Sequence, residues 1–311
     1  MRRRGHTEAG LTAQLAALGL APGSALLVHA SMRSVGPVTA GPNPPHDRGT
    51  GGGSGTGPDG GAAAVVRALR RVLGPAGTVV VPSFTPENSD TSTAYLRRIR
   101  GMDPRQAAEL RATMPPFDPD RTPAPGMGIL SETVRRSPGA LRSGHPQTSF
   151  AALGPAADKV LSGHRPDCHL GEDSPLARLY ELDAPVLLLG VGFDRCSAFH
   201  LAEYRVPAAP RRRYRCVTAP DGVRRWWEYE DAVLDDSDFG ALGADLARAH
   251  PELVRSGPVG AAAARLLPLR AAVDFSVDWL PRNRSYGSPG DGARVDRAAS
   301  DEGPGPGPAD R

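Results

Sequence analysis

Three short apolar segments constrain the fold of this chain more than any other feature. They are 25–30 (ALLVHA), 78–82 (TVVVP) and 185–191 (PVLLLGV). Continuous apolar runs of this length are typical of strands that are buried on both faces of a sheet. Helical patterns alternate with these runs, since apolar residues recur at helical spacing over 12–18 and again over 62–73. The sequence therefore predicts an α/β fold in which helices cover both faces of a central sheet.

Two segments rich in glycine and proline stand apart from this pattern. Residues 41–59 contain no large apolar side chain, and residues 283–311 end in DEGPGPGPADR. Such compositions cannot offset the entropy cost of ordering the chain. We expect a single domain over 1–282, with 41–59 as a flexible insertion, followed by a low-complexity, disordered tail over 283–311.

The charge balance excludes several classes of function. The chain has 37 lysines and arginines against 34 acidic residues, a formal net charge of +3, which is too small for a strongly basic nucleic-acid-binding protein. No apolar run is long enough to span a membrane. The three cysteines, Cys168, Cys196 and Cys216, lack CxxC spacing, which indicates a reducing compartment and no structural zinc. We expect a cytoplasmic protein that binds no metal, nucleic acid or membrane.

A polar segment follows the first apolar run directly. Its residues are His29, Ala30, Ser31, Met32, Arg33, Ser34, Val35 and Gly36. In α/β proteins, ligands bind at the carboxyl ends of strands, where this segment would lie. Hydroxyl groups, a guanidinium and backbone N–H groups can together bind an anion. The alternative is an ordinary turn between strand and helix that carries a core histidine.

A histidine and a glutamate follow the third apolar run, in the segment DRCSAFHLAEYR at 194–205. If Ser197 caps a helix there, His200 and Glu203 lie on one face of that helix. The histidine can then act as a general base, and the carboxylate can orient it. The alternative is a surface helix on which the pair arises by chance.

Other patterns are weaker. Arg48, Gly51 and Gly53 match the RxxGxG pattern with which the commonest acetyltransferase superfamily holds pyrophosphate, but no strand precedes them and no helix follows directly. Between Trp226 and Asp238 the chain has six acidic residues and no basic one. This segment can attract a polycation, or it is simply a solvated loop. The six are Glu228, Glu230, Asp231, Asp235, Asp236 and Asp238.

Taken together and in order, several segments resemble the aminoglycoside 3-N-acetyltransferases, the antibiotic N-acetyltransferase family. They are 26–38, 60–85, 117–154, 171–182 and 187–205. The resemblance implies an αβα sandwich that differs from the fold of the common acetyltransferase superfamily. It also implies acetyl transfer from acetyl-CoA, a co-substrate, to the 3-amino group of the 2-deoxystreptamine ring of aminoglycosides, which confers antibiotic resistance.

The resemblance also assigns roles to individual residues. The TxxHxxE motif of the family falls on Ser197, His200 and Glu203, with the histidine as catalytic base. The HSS-type loop that contacts coenzyme A falls on His29, Ala30 and Ser31. For the phosphates of coenzyme A we add Arg33, Arg121 and Arg142, because guanidinium groups pair with phosphate in a bidentate manner. For the acceptor amine we predict the carboxylates of Glu172, Asp173, Asp194, Asp235, Asp236 and Asp238.

Three other functions remain open at this stage. One is an acyltransferase of the same family that acts on a different amine in a biosynthetic pathway. The second is a binding module that has lost its chemistry, against which the intact His200 and Glu203 count. The third is a serine hydrolase that uses Ser31 or Ser83, against which the absence of a GxSxG nucleophile elbow counts. We expect a monomer or a homodimer.

Overall fold

The computed structural model of the protein describes residues 5–39 and 58–285. The strands are β1 (His6–Thr7), β2 (Ala25–Ala30), β3 (Val38–Thr39), β4 (Thr78–Pro82), β5 (Leu141–Arg142), β6 (Phe150–Leu153), β7 (Pro185–Leu189), β8 (Arg211–Thr218), β9 (Arg225–Ala232), β10 (Arg255–Val259) and β11 (Ala262–Pro268). The helices are α1 (Glu8–Ala17), α2 (Met32–Val35), α3 (Pro58–Leu73), α4 (Thr93–Arg98), α5 (Pro104–Ala112), α6 (Gly128–Arg135), α7 (Ala157–Leu161), α8 (Pro175–Glu181), α9 (His200–Arg205), α10 (Phe239–Ala249) and α11 (Leu269–Asn283).

The segments predicted to be flexible fall mostly outside the described residues. Of the insertion predicted at 41–59, the structure describes only the backbone of the last two residues, which open α3. Of the tail predicted at 283–311, it describes the first three residues. Asn283 ends α11, and Arg284 follows it as an ordered residue with several side-chain hydrogen bonds.

The central sheet has the strand order β10-β11-β7-β2-β4-β6-β5. Its three middle strands, β7, β2 and β4, are parallel, whereas β11 and β6 pair with them in antiparallel fashion. These middle strands are the three apolar runs of the sequence. The prediction of buried strands is therefore confirmed, and the sheet is mixed because short antiparallel strands extend it on both sides.

Helices cover both faces of this sheet. Alternate side chains of β2 point to opposite faces, as the two-residue period of a strand requires, so Leu26 and Val28 join one core and Leu27 joins the other. The first core includes side chains of α1, α3 and α6, and the second includes side chains of α7 to α11. The chain is thus an αβα sandwich, as the resemblance implies.

A β-hairpin of β8 and β9 stands apart from the central sheet. It carries half of the acidic run predicted at 226–238, so this part is a strand and not a loop. Both glutamates of β9 pair with arginines of β8. Glu228 lies 3.5 Å from Arg215, and Glu230 lies 3.2 Å from Arg211. Asp231 is buried. The acidic run is therefore largely neutralised by partners that are distant in the sequence.

None of the helices within 5–39 and 58–285 is both long and apolar enough to cross a membrane.

Candidate active site

A cavity of about 480 Å³ lies at the carboxyl ends of β2 and β7. The strand β2 lies between two parallel neighbours, β4 on one side and β7 on the other. The chain passes from β2 to β4 through α3. A crevice opens at such a point of an α/β sheet because the connections diverge to either side, and ligands bind there. Polar residues in its wall are His29, Ser131, Asp194, Arg195, Ser197, His200 and Asp236.

His200 lies in the wall of this cavity, and Glu203 lies buried behind it. The imidazole Nδ1 lies 2.7 Å from Oε2 of Glu203, and the ring packs against Phe239 with 4.7 Å between ring centroids. A carboxylate only accepts hydrogen bonds, so Nδ1 carries the proton and Nε2 has the free electron pair. The Glu203 side chain is only 3 % exposed and that of His200 12 %. The pair is thus held in the geometry of a general base with an orienting carboxylate.

The predicted helix cap at Ser197 is wrong. A short 3₁₀ turn covers Ser197–Phe199, and α9 begins at His200 without a side-chain cap. The hydroxyl of Ser197 instead lies 3.2 Å from Nε2 of His29 at the end of β2. Through this contact Ser197, which follows β7, is linked to the end of β2.

His29 is half-buried in the cavity wall. This burial, together with the neighbouring His200, lowers the pKa of His29 to about 3. The ring is therefore neutral at physiological pH and contributes hydrogen bonds, not charge. In this state it can hold Ser197 in place or contact a bound thioester.

The second carboxylate oxygen of Glu203 is held by a backbone N–H and by an arginine that no sequence motif marks. Oε1 accepts a hydrogen bond from the backbone N–H of Asp235 at 3.0 Å and one from Nη1 of Arg284 at 2.5 Å. Arg284 also donates to both carboxylate oxygens of Asp238. Burial lowers the pKa of Arg284, but the hydrogen bonds with Asp238 and Glu203 outweigh this and raise it above its usual range. No motif points to Arg284, since it lies 81 positions beyond Glu203 in the chain.

The turn after β2 is built on Ser31. Its Oγ accepts hydrogen bonds from the backbone N–H of Ser34 at 3.3 Å and from the hydroxyl of Ser34 at 3.0 Å, which starts the one-turn helix α2. Arg33 and Ser34 are exposed, and Met32 is half-buried. The side chain of Val35 is fully buried in the core. The helix ends at Gly36, whose φ of +80° favours glycine.

The two other arginines predicted for coenzyme A differ in their surroundings. The Arg121 side chain is 89 % exposed and lies 3.9 Å from Asp118. The guanidinium of Arg142 donates to the carbonyls of Ser83 and Thr122 and to the hydroxyl of Ser149. Burial, reinforced by a neighbouring arginine, lowers the pKa of Arg142 to about 10. Arg142 thus links three loops through its hydrogen bonds, whereas Arg121 is exposed to solvent.

The six carboxylates predicted for the acceptor fall into three groups. Asp194 and Asp236 line the cavity. Asp235 and Asp238 lie behind Glu203, where Arg284 donates to the carboxylate of Asp238 but only to the backbone carbonyl of Asp235. Glu172 and Asp173 lie outside the cavity, at 2.7 Å from Arg205 and 3.8 Å from Arg165. The structure thus brings Asp194 and Asp236 together with His200 and separates the other four from the cavity.

The two serines considered for a hydrolase lack the surroundings of a nucleophile. Ser83 is fully buried, and its carbonyl binds Arg142. The hydroxyl of Ser31 is engaged with Ser34. Within residues 5–39 and 58–285, neither hydroxyl is hydrogen-bonded to a histidine. This geometry counts against a serine hydrolase.

Comparison with known proteins agrees with the fold. The sequence profile of the family "Aminoglycoside 3-N-acetyltransferase" matches residues 27–281. The prophage-derived aminoglycoside N(3')-acetyltransferase-like protein YokD of Bacillus subtilis is 35% identical, with 90% of this chain and 94% of that protein covered. Aminoglycoside N(3)-acetyltransferase III of Serratia marcescens is also 35% identical, over 91% of this chain and 100% of that protein.

Solved structures show the same similarity. The crystal structure of YokD superposes with a TM-score of 0.79 at 34% identity and covers 92% of this chain and 97% of its own. The AAC-IIIb complex with CoASH gives 0.73 at 31% identity, over 92% of this chain and 100% of its own. A variant of AAC(3)-IVa in complex with a gentamicin gives 0.70 at 32% identity, with 91% of each chain covered.

The αβα sandwich is that of the aminoglycoside acetyltransferases of known structure, and it differs from the fold of the common acetyltransferase superfamily. The chain belongs to the aminoglycoside 3-N-acetyltransferase family.

Proposed function

We propose that this protein transfers the acetyl group of acetyl-CoA to the 3-amino group of the 2-deoxystreptamine ring of aminoglycosides and thereby confers resistance to them. The observation that carries the proposal is that His200, in the wall of a cavity of about 480 Å³, lies 2.7 Å from the buried carboxylate of Glu203. Relatives that are named for this activity, and a relative bound to CoASH, support it. Since acetyl-CoA is a cytoplasmic metabolite, the reaction would take place in the cytoplasm.

The residues at the cavity suit a thioester and an amine. Acetyl-CoA supplies the acetyl group in an activated form, and the turn after β2 would hold the coenzyme, with the exposed Arg33 next to its phosphates. Apolar side chains such as Val28, Phe84 and Phe239 complete the cavity wall and limit access of water to the thioester. Ser31, Ser34, Gly36 and the more distant Arg121 and Arg142 remain candidates for the same ligand.

His200 performs the proton transfer in this mechanism. An amine attacks a thioester carbonyl only in its neutral form, and Nε2 of His200 accepts the proton that the nitrogen loses. Glu203 accepts the Nδ1 proton in a hydrogen bond, which fixes the tautomer and stabilises the imidazolium that forms. The C–S bond breaks as the C–N bond forms, and the leaving thiolate takes the proton from His200. Atoms and charges then balance, and the base is restored.

The acceptor is a polycation, and the cavity offers carboxylates for it. Asp194 and Asp236 both line the cavity that contains His200, and Asp194 also lies 3.1 Å from Arg195. Two carboxylates near the base attract an aminoglycoside whose other amines are protonated, and they favour the orientation that places one amine at Nε2 of His200.

A thiol-release assay tests the proposed function. Purified protein, acetyl-CoA and a panel of aminoglycosides should yield free coenzyme A only when the acceptor has a 3-amino group, and NMR of the product should place the acetyl group on that nitrogen. Release of thiol with small amines, but with none of the aminoglycosides, would contradict the proposal and favour a biosynthetic acyltransferase. Monomer or homodimer remains our prediction for the assembly.

Replacement of Asp194 or Asp236 by asparagine should raise KM for an aminoglycoside by about 3- to 10-fold, since each half-exposed ion pair contributes on the order of 1 kcal/mol. KM for acetyl-CoA, an anion bound elsewhere, should stay the same. Asp278→Asn is the matched control because Asp278 is exposed on α11, outside the cavity. Steady-state kinetics at low and high salt check this, and equal KM values in all variants would remove these carboxylates from the acceptor site.

A further inference from the structure

The side chain of Arg284 contacts the carboxylate that is paired with His200. It lies immediately after α11, and its side chain, 13 % exposed, reaches Glu203, the carboxylate of the catalytic pair. The guanidinium forms ion pairs with Glu203 and Asp238, both at 2.5 Å, and also donates to the carbonyl of Asp235. The residue thus binds the side of Glu203 that faces away from His200.

We propose that Arg284 is a positioning residue for the catalytic pair: its cation fixes the rotamer of Glu203 and weakens the negative charge that Glu203 presents to His200. The proposal rests on the proposed function for its kinetic consequences, but its electrostatic consequence is independent of any substrate. It adds a third, basic member, from the residue that follows α11, to the histidine–glutamate pair.

The helix α11 fixes Arg284 in this place. The backbone N–H of Arg284 donates to the carbonyl of Leu280 at 2.8 Å, which extends the last turn of the helix. Nε1 of Trp279 donates to Asp245 of α10 at 2.8 Å, so this part of α11 is anchored to the helix that follows the Asp235–Asp238 turn. The position of the guanidinium therefore follows from helix packing. The face of Phe239, which also contacts His200, lies 5.7 Å from it.

The geometry of the carboxylate explains why the arginine can orient it. Oε2 of Glu203 accepts from Nδ1 of His200, while Oε1 accepts from Arg284 and from the backbone of Asp235. Both oxygens are thus engaged, and rotation of the carboxyl group would break at least two hydrogen bonds. Charge-assisted hydrogen bonds of this kind are about twice as strong as neutral ones. Without Arg284, only one backbone N–H would hold Oε1.

The electrostatic consequence depends on all the charges around His200. Glu203 is the nearest anion, and Arg284 is the cation paired with it. The other ionisable groups that face this region are His29 on β2, Asp194 and Arg195 after β7, His169 before α8, and Asp235, Asp236 and Asp238 before α10. Removal of the arginine cation leaves the anions uncompensated, and the imidazolium form of His200 is then favoured. The proton should bind at higher pH.

The test compares Arg284→Gln with wild type in two measurements. The first is an NMR titration of the His200 imidazole in the protein without substrates, with the signal assigned by its loss in His200→Gln. The midpoint should move to higher pH by about one unit, the lower end of the effect that a charge within a few ångströms has on a titrating group. The second is the pH profile of kcat/KM, whose acid limb should move in the same direction.

Two further variants separate charge from structure. Arg284→Lys keeps the cation but loses the bidentate geometry, so the NMR midpoint should stay within about 0.3 units while kcat falls several-fold. Arg282→Gln removes one cation from the exposed end of the same helix and should change neither quantity. If Arg284→Gln does not fold, Arg284→Lys alone decides, because an unchanged kcat would then contradict the orienting role.

The outcomes distinguish this proposal from the proposed function. A folded Arg284→Gln protein with an unchanged NMR midpoint would overturn the electrostatic role, whatever the activity. A shifted midpoint in a protein that acetylates no aminoglycoside would support the role of Arg284 and contradict the proposed function. A shift of equal size in Arg282→Gln would show a general effect of net charge and overturn the specific role of Arg284.

Discussion

His200→Ala is expected to lower kcat for acetyl transfer by about 10²- to 10⁴-fold, the usual cost of losing a general base. In the structure the imidazole is in the cavity wall, its Nδ1 is fixed by Glu203, and its Nε2 remains to accept a proton. Rates should be measured by thiol release at saturating concentrations of both substrates. Affinity for acetyl-CoA, measured by calorimetry, should change little because His200 takes part in proton transfer.

The control for this variant is His250→Ala, since His250 is an exposed histidine at the end of α10 and does not line the cavity. It should retain wild-type kcat. Glu203→Gln should lower kcat less than His200→Ala does, because it orients the base without accepting the proton from the amine. A His200→Ala protein within threefold of the wild-type rate would remove His200 from the mechanism.

The protein is expected to lose about 3 to 5 kcal/mol of its free energy of unfolding between about pH 7 and pH 5.5, because one half-buried and three buried histidines are neutral in the folded state. Burial lowers the pKa of His29 to about 3 and of His164 to about 4, and it also lowers the pKa of His145 and His169. In the unfolded chain these groups bind protons near pH 6.5, so below that pH the unfolded state binds more protons than the folded state. Each such group costs about 1.4 kcal/mol per pH unit.

Urea denaturation at pH 7.5, 6.5 and 5.5 measures this dependence. The ring of His145 packs against His164 and His169, with 4.8 Å between ring centroids in each pair, so protonation of one would place a charge among buried rings. His164→Gln should lower the slope of stability against pH, whereas the exposed His250→Gln should not. A free energy of unfolding that is constant from pH 7.5 to 5.5 would contradict the prediction.

The middle of the sheet could be predicted from the sequence, and its edges could not. β2 and β4 have the predicted bounds, because a strand buried on both faces must be apolar throughout. β7 ends two residues early, at Leu189, since Gly190 adopts a φ of +68° that leaves the strand. β10 contains glycine and proline, which are unfavourable in strands, and it exists because β11 pairs with it. Tertiary pairing of this kind has no local signal.

The site was predictable only where its residues are close in the sequence. His200 and Glu203 are one helical turn apart, so their pairing follows from spacing. The contact of Glu203 with Arg284 joins positions 81 residues apart and depends on how α11 packs on α9. Likewise, composition alone assigned the same role, binding of the acceptor amine, to Asp235, Asp236 and Asp238. The structure separates them, since Asp236 lines the cavity while the other two bind Arg284.

The contact between α1 and the turn that joins β10 to β11 has a consequence for folding during synthesis on the ribosome. The backbone N–H of Gly260, in the turn between β10 and β11, donates to the side chain of Gln14 in α1 at 2.8 Å, across 246 positions of sequence. Contacts of such high sequence separation form late and slow the folding of a domain. A nascent chain must therefore keep the edge of β7 unpaired until β11 has left the exit tunnel. Premature termination before Arg255 would leave a polypeptide that cannot complete its sheet and that exposes an unpaired strand to aggregation.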